Sequence, residues 1–166
     1  MKKSEIKLIY EKFAVPKNII FHMQKVAEIC GNLADEFKKK KIKVRKSIII
    51  KSALVHDVFK PEGKDHAKKM ADYLRKIGEK SMADLVEKHD FWQIDTLKTW
   101  EEKILYYADK RVYEDTLVSL QTRIDEGRKR NPGKISPEVI ETEEKMKKLE
   151  KQFRDILKGC FLSFQI

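Results

Sequence analysis

SIIIKSALVHDVFK, running from Ser47 to Lys60, is the stretch whose reading decides the fold. It is apolar on nearly every face up to Val55, and then sets His56 beside Asp57. A helix apolar all round belongs in the middle of a domain. The stretch therefore predicts a buried central helix, capped at its start by Ser47. Burying an imidazole beside a carboxylate is unfavourable unless something pairs with both. A metal ion suits both groups. The dipeptide occurs again as His89-Asp90, so the pair alone says little and its apolar setting says more.

Working outward, the chain has 166 residues, which suits one domain with a sizeable core. Hydrophobic residues make up 41% and charged residues 39%, with only 6 Gly and 4 Pro. That mixture favours a helical globular protein over a β-protein or a disordered chain. The formal charge of +10 favours an anionic partner such as a phosphate ester, a nucleotide, nucleic acid or a membrane surface, or else a lysine-rich solvated surface. Cys30 and Cys160 have no metal or redox spacing and read as reduced core thiols. No apolar run reaches the roughly 18–20 residues of a membrane span, and MKKSEIKLIYEK has no secretory h-region. A cytoplasmic protein with no membrane partner is expected.

The apolar spacing around this centre is helical throughout. Ser4 is placed to cap a first helix with Ile6, Ile9, Tyr10 and Phe13 on one face. Pro16 starts a second, whose stripe runs Ile19, Met23, Val26, Ile29/Cys30, Leu33 and Phe37, with His22 on or beside it. Lys38 to Lys43 reads as a solvated loop. It lacks the interleaved aromatics of a nucleic-acid footprint, so nucleic acid is the less favoured partner. Past Pro61 and Gly63, Asp65 is expected to cap a helix that has His66 in its first turn and Gly78 at its end. Ser81 opens another, in which Met82, Leu85, Val86 and His89 share a stripe. Thr99 and Glu102 form a capping-box pattern ahead of Ile104, Leu105, Ala108 and Val112, with Asp109 among them. The helical pattern continues through Leu117, Leu120 and Ile124, with a break near Tyr113-Glu114, and stops at Asn131-Pro132-Gly133. Ser136-Pro137 starts a last helix to about Lys158. The apolar tail CFLSFQI follows, docking on the body or on a second subunit.

The prediction is an all-α fold: one compact domain of about six to eight helices around the buried central one. Four inward-facing polar residues stand on three of those helices: His22, His56, Asp57 and Asp109. Two imidazoles and two carboxylates suit a divalent Mn, Fe, Co, Ni, Zn or Mg ion and are unlike a thiolate zinc site. Taken singly, each has a plainer reading as a hydrogen-bonded core residue.

At this point the chain resembles the HD-domain superfamily of metal-dependent phosphohydrolases, in particular its HDIG-like members. The resemblance runs from about Pro16 to Val112, through PKNIIFHMQKVAEICGNLADEF, KSALVHDVFK, DHAKKMADYLRKIG, LVEKHDF and YYADKRV. It implies an HD-type domain over 1–130, with its core at 16–113. A C-terminal helix and apolar tail over 131–166 would pack on it. It also implies that His22, His56, Asp57 and Asp109 ligate a metal, while His66 and His89 hold a second metal or contact substrate. Asp57 would also orient the attacking water and bridge the ions if two bind. Lys60, about one helical turn beyond the ligands, would be catalytic and bind phosphate; Lys64, Lys110 and Arg111 are further phosphate-binding candidates. Three positions depart from the family pattern. Phe59 stands where glycine is common, Met23 where a small polar residue is frequent, and Lys60 where HD-x-x-E members carry a catalytic Glu.

The function implied is hydrolysis of a phosphomonoester or phosphodiester of a nucleotide or similar small metabolite, by water activated on one or two divalent ions. The competing reading is a basic helical module that binds nucleotide or RNA without turning it over, with salt-sensitive and metal-independent affinity. A homodimer through the last helix and tail is compatible with either.

Overall fold

The structure, a computed structural model, describes residues 1–133 and 135–158. The chain folds as α1 (Lys3–Lys12), α2 (Lys17–Lys39), α3 (Lys46–Ala53), α4 (His66–Lys76), α5 (Lys80–Glu87), α6 (Trp100–Asp109), β1 (Val112–Tyr113), β2 (Thr116–Leu117), α7 (Leu120–Arg130) and α8 (Pro137–Ile156). Short 3-10 turns cover Lys60–Glu62 and Phe91–Thr96. The fold is all-α apart from the two-residue antiparallel pair. No helix among the described residues is long and apolar enough to cross a membrane.

α2 is the spine. Its stripe of Met23, Val26, Cys30, Leu33 and Phe37 is buried along its length, and α3 and α6 pack against it. The core has two lobes. One gathers α2, α3, α6, α7 and α8 around Phe37, Tyr107 and Phe153; the other gathers α1, α4 and α5 around Met23, Met70 and Leu74. Val55 and Val58, which bracket His56-Asp57, belong to the second lobe, while Ala53 and Ala108 belong to the first. The His-Asp pair thus lies on the seam.

The apolar stripe of α8 is covered within the chain. Phe153 stacks on Tyr107 with ring centroids 4.6 Å apart and also meets Phe37 at 5.5 Å. Ser136 caps this helix, its hydroxyl accepting from the Val139 N–H, and Pro137 occupies the first turn. The capping box at Thr99 and Glu102 is present too, and it fixes where α6 begins. The tail CFLSFQI and Cys160 lie outside the described residues.

Several local expectations are corrected. The central stretch is α-helical only to Ala53. Beyond it the bonds tighten to i→i−3, as in Val55 N–H to Ser52, Val58 N–H to Val55 and Lys60 N–H to Asp57. Pro61 keeps α-helix from resuming at the end of this stretch, because it cannot supply an N–H to the Asp57 carbonyl and disfavours the α conformation at Lys60. Ser4, Ser47 and Ser81 lie inside α1, α3 and α5 rather than capping them; Lys2, Arg45 and Glu79 hold the cap positions. Asp65 does precede α4, but its side chain makes no capping bond. Gly78 ends that helix at φ +85°, a left-handed conformation that suits glycine.

The largest difference follows Asp109. Helix does not continue through Leu117; a β-pair turns back there, with Val112 opposite Leu117 and Tyr113 opposite Thr116. Glu114 in the turn has φ +54°, which is unusual for a side chain of its kind. The helical periodicity of Val112, Leu117, Leu120 and Ile124 came from two separate elements that pack on the same lobe.

Candidate metal centre

Each histidine is fixed by a bond from its Nδ1. For three of them the acceptor is the carbonyl three residues earlier: His56 to Ala53 at 2.7 Å, His66 to Gly63 at 3.0 Å and His89 to Val86 at 2.6 Å. The i→i−3 turn after α3 makes the first of these bonds, because it turns the Ala53 carbonyl toward the ring. His22 lies mid-helix, where every nearby carbonyl is engaged. It reaches instead across 92 positions to the Glu114 carbonyl, at 2.7 Å. The tight hairpin and its strained Glu114 thus have a role: they bring a carbonyl to His22.

A carbonyl only accepts, so all four Nδ1 atoms carry the proton. In the neutral ring Nε2 then presents a bare lone pair. This is the orientation seen behind metal-ligating histidines.

All four Nε2 atoms converge on two aspartates. His22 Nε2 is 3.1 Å from Asp109 Oδ1 and 3.4 Å from Asp57 Oδ2. His56 Nε2 is 3.5 Å from each of the same two oxygens. On the other side of Asp57, its Oδ1 is 3.2 Å from His66 Nε2 and 3.3 Å from His89 Nε2. The two groups, His22-His56-Asp57-Asp109 and Asp57-His66-His89, share Asp57, one oxygen each. With ligand bonds of about 2.1 Å, donors on one ion are separated by roughly 3.0 Å (octahedral, cis) to 3.4 Å (tetrahedral). The observed spacings are of that size.

Two contacts suit a bound cation. His56 Nε2 is fully buried and has no hydrogen-bond partner among the described residues. His66 Nε2 and His89 Nε2 face each other at 3.1 Å, lone pair to lone pair when both rings are neutral. His56, Asp57, His89 and Asp109 are nearly inaccessible to solvent, and His66 is partly open. The residues present therefore fit a divalent metal.

Electrostatics agree with the geometry. Burial alone would raise the Asp57 carboxyl, yet His56, the neighbouring imidazoles of His66 and His89, and Lys60 hold it well below the usual carboxylate range. Asp109 is likewise held low against burial, chiefly by Lys110 and then by His22 and His56. Burial pulls His56 down, but Asp57 and then Asp109 more than offset it and the ring is raised. His89 is lowered, mainly by burial, and so stays neutral. Burial, reinforced by Asp109, pushes the Cys30 thiol far up, so it is an inert core group rather than a ligand.

Residues 19–113, more than half of the chain, match the HD domain family. The chain is an HD-domain protein. Proteins of this family are in general metal-dependent phosphohydrolases, and the buried His/Asp cluster of this HD domain fits a metal site. No curated protein and no solved structure matches the chain at a significant level.

The lysines around the cluster divide by partner. Lys60 Nζ bonds Asp57 Oδ2 and remains partly exposed at the rim. Lys110 Nζ is buried, bonding Asp109 Oδ2 at 2.5 Å and the His89 carbonyl at 3.0 Å, so it braces ligands from both groups. Lys64 is exposed and lines a cavity that Lys110 also lines.

Arg111 is a correction: it does not face phosphate. Its guanidinium is buried against Tyr107 Oη at 2.5 Å, Glu150 Oε1 at 3.4 Å and the Val118 carbonyl at 2.7 Å, tying α6 to α8 and the hairpin. Lys110 and Arg111 lie in the turn after α6, and their side chains leave it in different directions, Lys110 to Asp109 and Arg111 to Tyr107 and Glu150.

Two cationic residues near the cluster carry no signal in the apolar spacing. Arg123 and Arg130 on α7 each line both cavities beside the cluster. Their signal was present, since seven residues is two helical turns and puts both on one face. The apolar positions Leu120 and Ile124, which define α7 in the sequence, do not mark that face.

Proposed function

We propose that the protein hydrolyses phosphoesters of small phosphorylated metabolites, nucleotides foremost, using one or two divalent ions held by its HD cluster. His22, His56, Asp57 and Asp109 would hold one ion; His66 and His89, with the second oxygen of Asp57, would hold another. A bound ion would supply a water acidified toward neutral pH and a Lewis acid for the phosphoryl oxygen.

The chain's own residues do the rest. Asp57 is positioned to serve both ion sites, because its two oxygens face opposite groups of imidazoles. Lys110 anchors the Asp109 carboxylate and the loop carrying His89, so ligands from α6 and from the end of α5 keep a fixed spacing. Lys60 stands at the opening with its ammonium partly in solvent, placed to receive a phosphate oxygen as a point charge.

The observation that carries the reading is the charge balance of this buried cluster. Asp57 and Asp109 are already matched by Lys60 and Lys110, and the imidazoles add no negative charge. Any divalent ion therefore leaves the pocket with excess positive charge, which a phosphate dianion neutralises and a neutral substrate does not.

The test is a screen of phosphomonoesters and phosphodiesters with protein loaded with Mn²⁺, Co²⁺ or Ni²⁺. Hydrolysis is expected for at least one class, abolished by a chelator and by His22→Ala. Inactivity of the loaded protein across the screen, or hydrolysis indifferent to both treatments, contradicts the proposal.

A further inference from the structure

Two cavities flank the cluster. One, about 460 Å³, is lined by His22, Lys60, Tyr113, Glu114 and Asp115 among others. The other, about 410 Å³, is lined by Lys64 and Lys110 and by the apolar Phe91, Trp92 and Ile135 among others. Arg123 and Arg130 are common to both. They come from α7, which lies wholly outside residues 19–113.

Both arginines are held in place without being neutralised. Arg123 Nε donates to the Val112 carbonyl at 3.1 Å, directly behind the hairpin that orients His22. Arg130 Nε donates to the Glu126 carbonyl at 3.3 Å, and its guanidinium lies 5.7 Å from the centre of the Tyr113 ring. Neither has a carboxylate partner among the described residues, whereas their neighbour Arg128 is bound to Glu143. Glu114 and Asp115 rim the same cavity and oppose anions there, so an anion that binds at this place depends on Lys60 and the two guanidinium groups. A guanidinium offers a planar fork of donors that matches phosphate oxygens. Trp92, which lines the same cavity as both arginines, is 56% exposed and edge-on to Phe91 at 4.9 Å, and is free to stack a flat ring.

We infer that Arg123 and Arg130 form a subsite for a second, non-scissile phosphate of the substrate, whose flat apolar part rests on Trp92. The substrate class is an aromatic compound bearing two or more phosphates, as in a nucleoside diphosphate. The inference rests on the hydrolase reading above for the position of the scissile phosphate.

The experiment is calorimetric titration of metal-loaded protein with inorganic phosphate, pyrophosphate and adenosine diphosphate. Arg123→Gln with Arg130→Gln is expected to weaken pyrophosphate by about tenfold and phosphate by about twofold or less. Equal weakening of both anions, or of neither, overturns the subsite. Arg130→Gln alone guards against a misfolded Arg123 variant, because Arg130 is exposed and does not support the hairpin backbone; it should weaken pyrophosphate selectively, and Arg130→Lys should restore it only in part. Trp92→Ala should weaken adenosine diphosphate by about fivefold and leave pyrophosphate unchanged; equal effects on the two overturn the ring position. Arginine-dependent pyrophosphate binding without hydrolysis of any ester would refute the hydrolase reading and keep the subsite. Hydrolysis with an unchanged anion preference in the double variant would do the reverse.

Discussion

Asp57→Asn is expected to reduce hydrolysis by about three orders of magnitude and to strip metal from both groups of ligands. The substitution keeps the shape and volume of the side chain, so the seam between the two core lobes stays filled. It removes the charge and replaces one acceptor oxygen with an amide that only donates. Every imidazole in the cluster depends on Asp57: Oδ2 lies within 3.4–3.5 Å of His22 and His56, and Oδ1 within 3.2–3.3 Å of His66 and His89. No other residue among the described ones belongs to both groups of candidate ligands. A Lewis acid contributes several kcal/mol to phosphoryl transfer, and each 1.4 kcal/mol is a factor of about ten, which sets the size of the loss. Metal content and kcat/KM are the readouts. An Asp57→Asn protein that retains its metal and more than about a tenth of its activity would show that Asp57 is not the shared ligand.

The second large effect concerns stability. Four imidazoles with inward lone pairs and two carboxylates sit in a nearly dry seam, an arrangement that is costly without a cation. Ions that bind only the folded chain stabilise it by mass action. At a hundred times the dissociation constant the gain is about 2.7 kcal/mol, which for a domain of this size raises the melting temperature by about 5–11 °C. Chelator-treated protein should therefore melt lower by that amount and recover on adding Mn²⁺, Co²⁺, Ni²⁺ or Zn²⁺. His56→Ala, which deletes the buried Nε2 that lacks a partner, should abolish most of the recovery. His66→Ala should leave part of it, because the first group of ligands remains complete. A melting temperature unaffected by any of these ions would contradict the requirement for a cation.

These effects trace back to features of the sequence that were legible for definite reasons. His22, His56, Asp57, His89 and Asp109 are legible because each falls on or beside an apolar stripe, where a polar side chain needs a partner; His66 is legible only through the resemblance to the HD-domain superfamily. The helical class followed from the 3.6-residue spacing and the scarcity of Gly and Pro. What escaped depended on backbone geometry. The end of α3 at Ala53 and the tighter i→i−3 turns after it leave the apolar spacing unchanged, so that spacing does not reveal them. The β-pair was concealed because Val112 and Leu117 point into the same lobe that a continuing helix would have met. The Glu114 carbonyl, which sets the tautomer of His22, leaves no trace in residue type, since any residue has a carbonyl. Arg111 adjoins a candidate ligand in sequence but is turned away from it in space, toward Tyr107 and Glu150.

The most direct measurement is anomalous diffraction from crystals of the metal-loaded protein, collected at the absorption edge of the loaded ion. A peak is expected within about 2.0–2.3 Å of the Nε2 atoms of His22 and His56 and of oxygens from Asp57 and Asp109. With full loading a second peak should lie beside His66 and His89, on the other oxygen of Asp57. Crystals with no peak between His22, His56, Asp57 and Asp109, or with ions only at surface carboxylates, would contradict the claim that these helices converge to hold a metal.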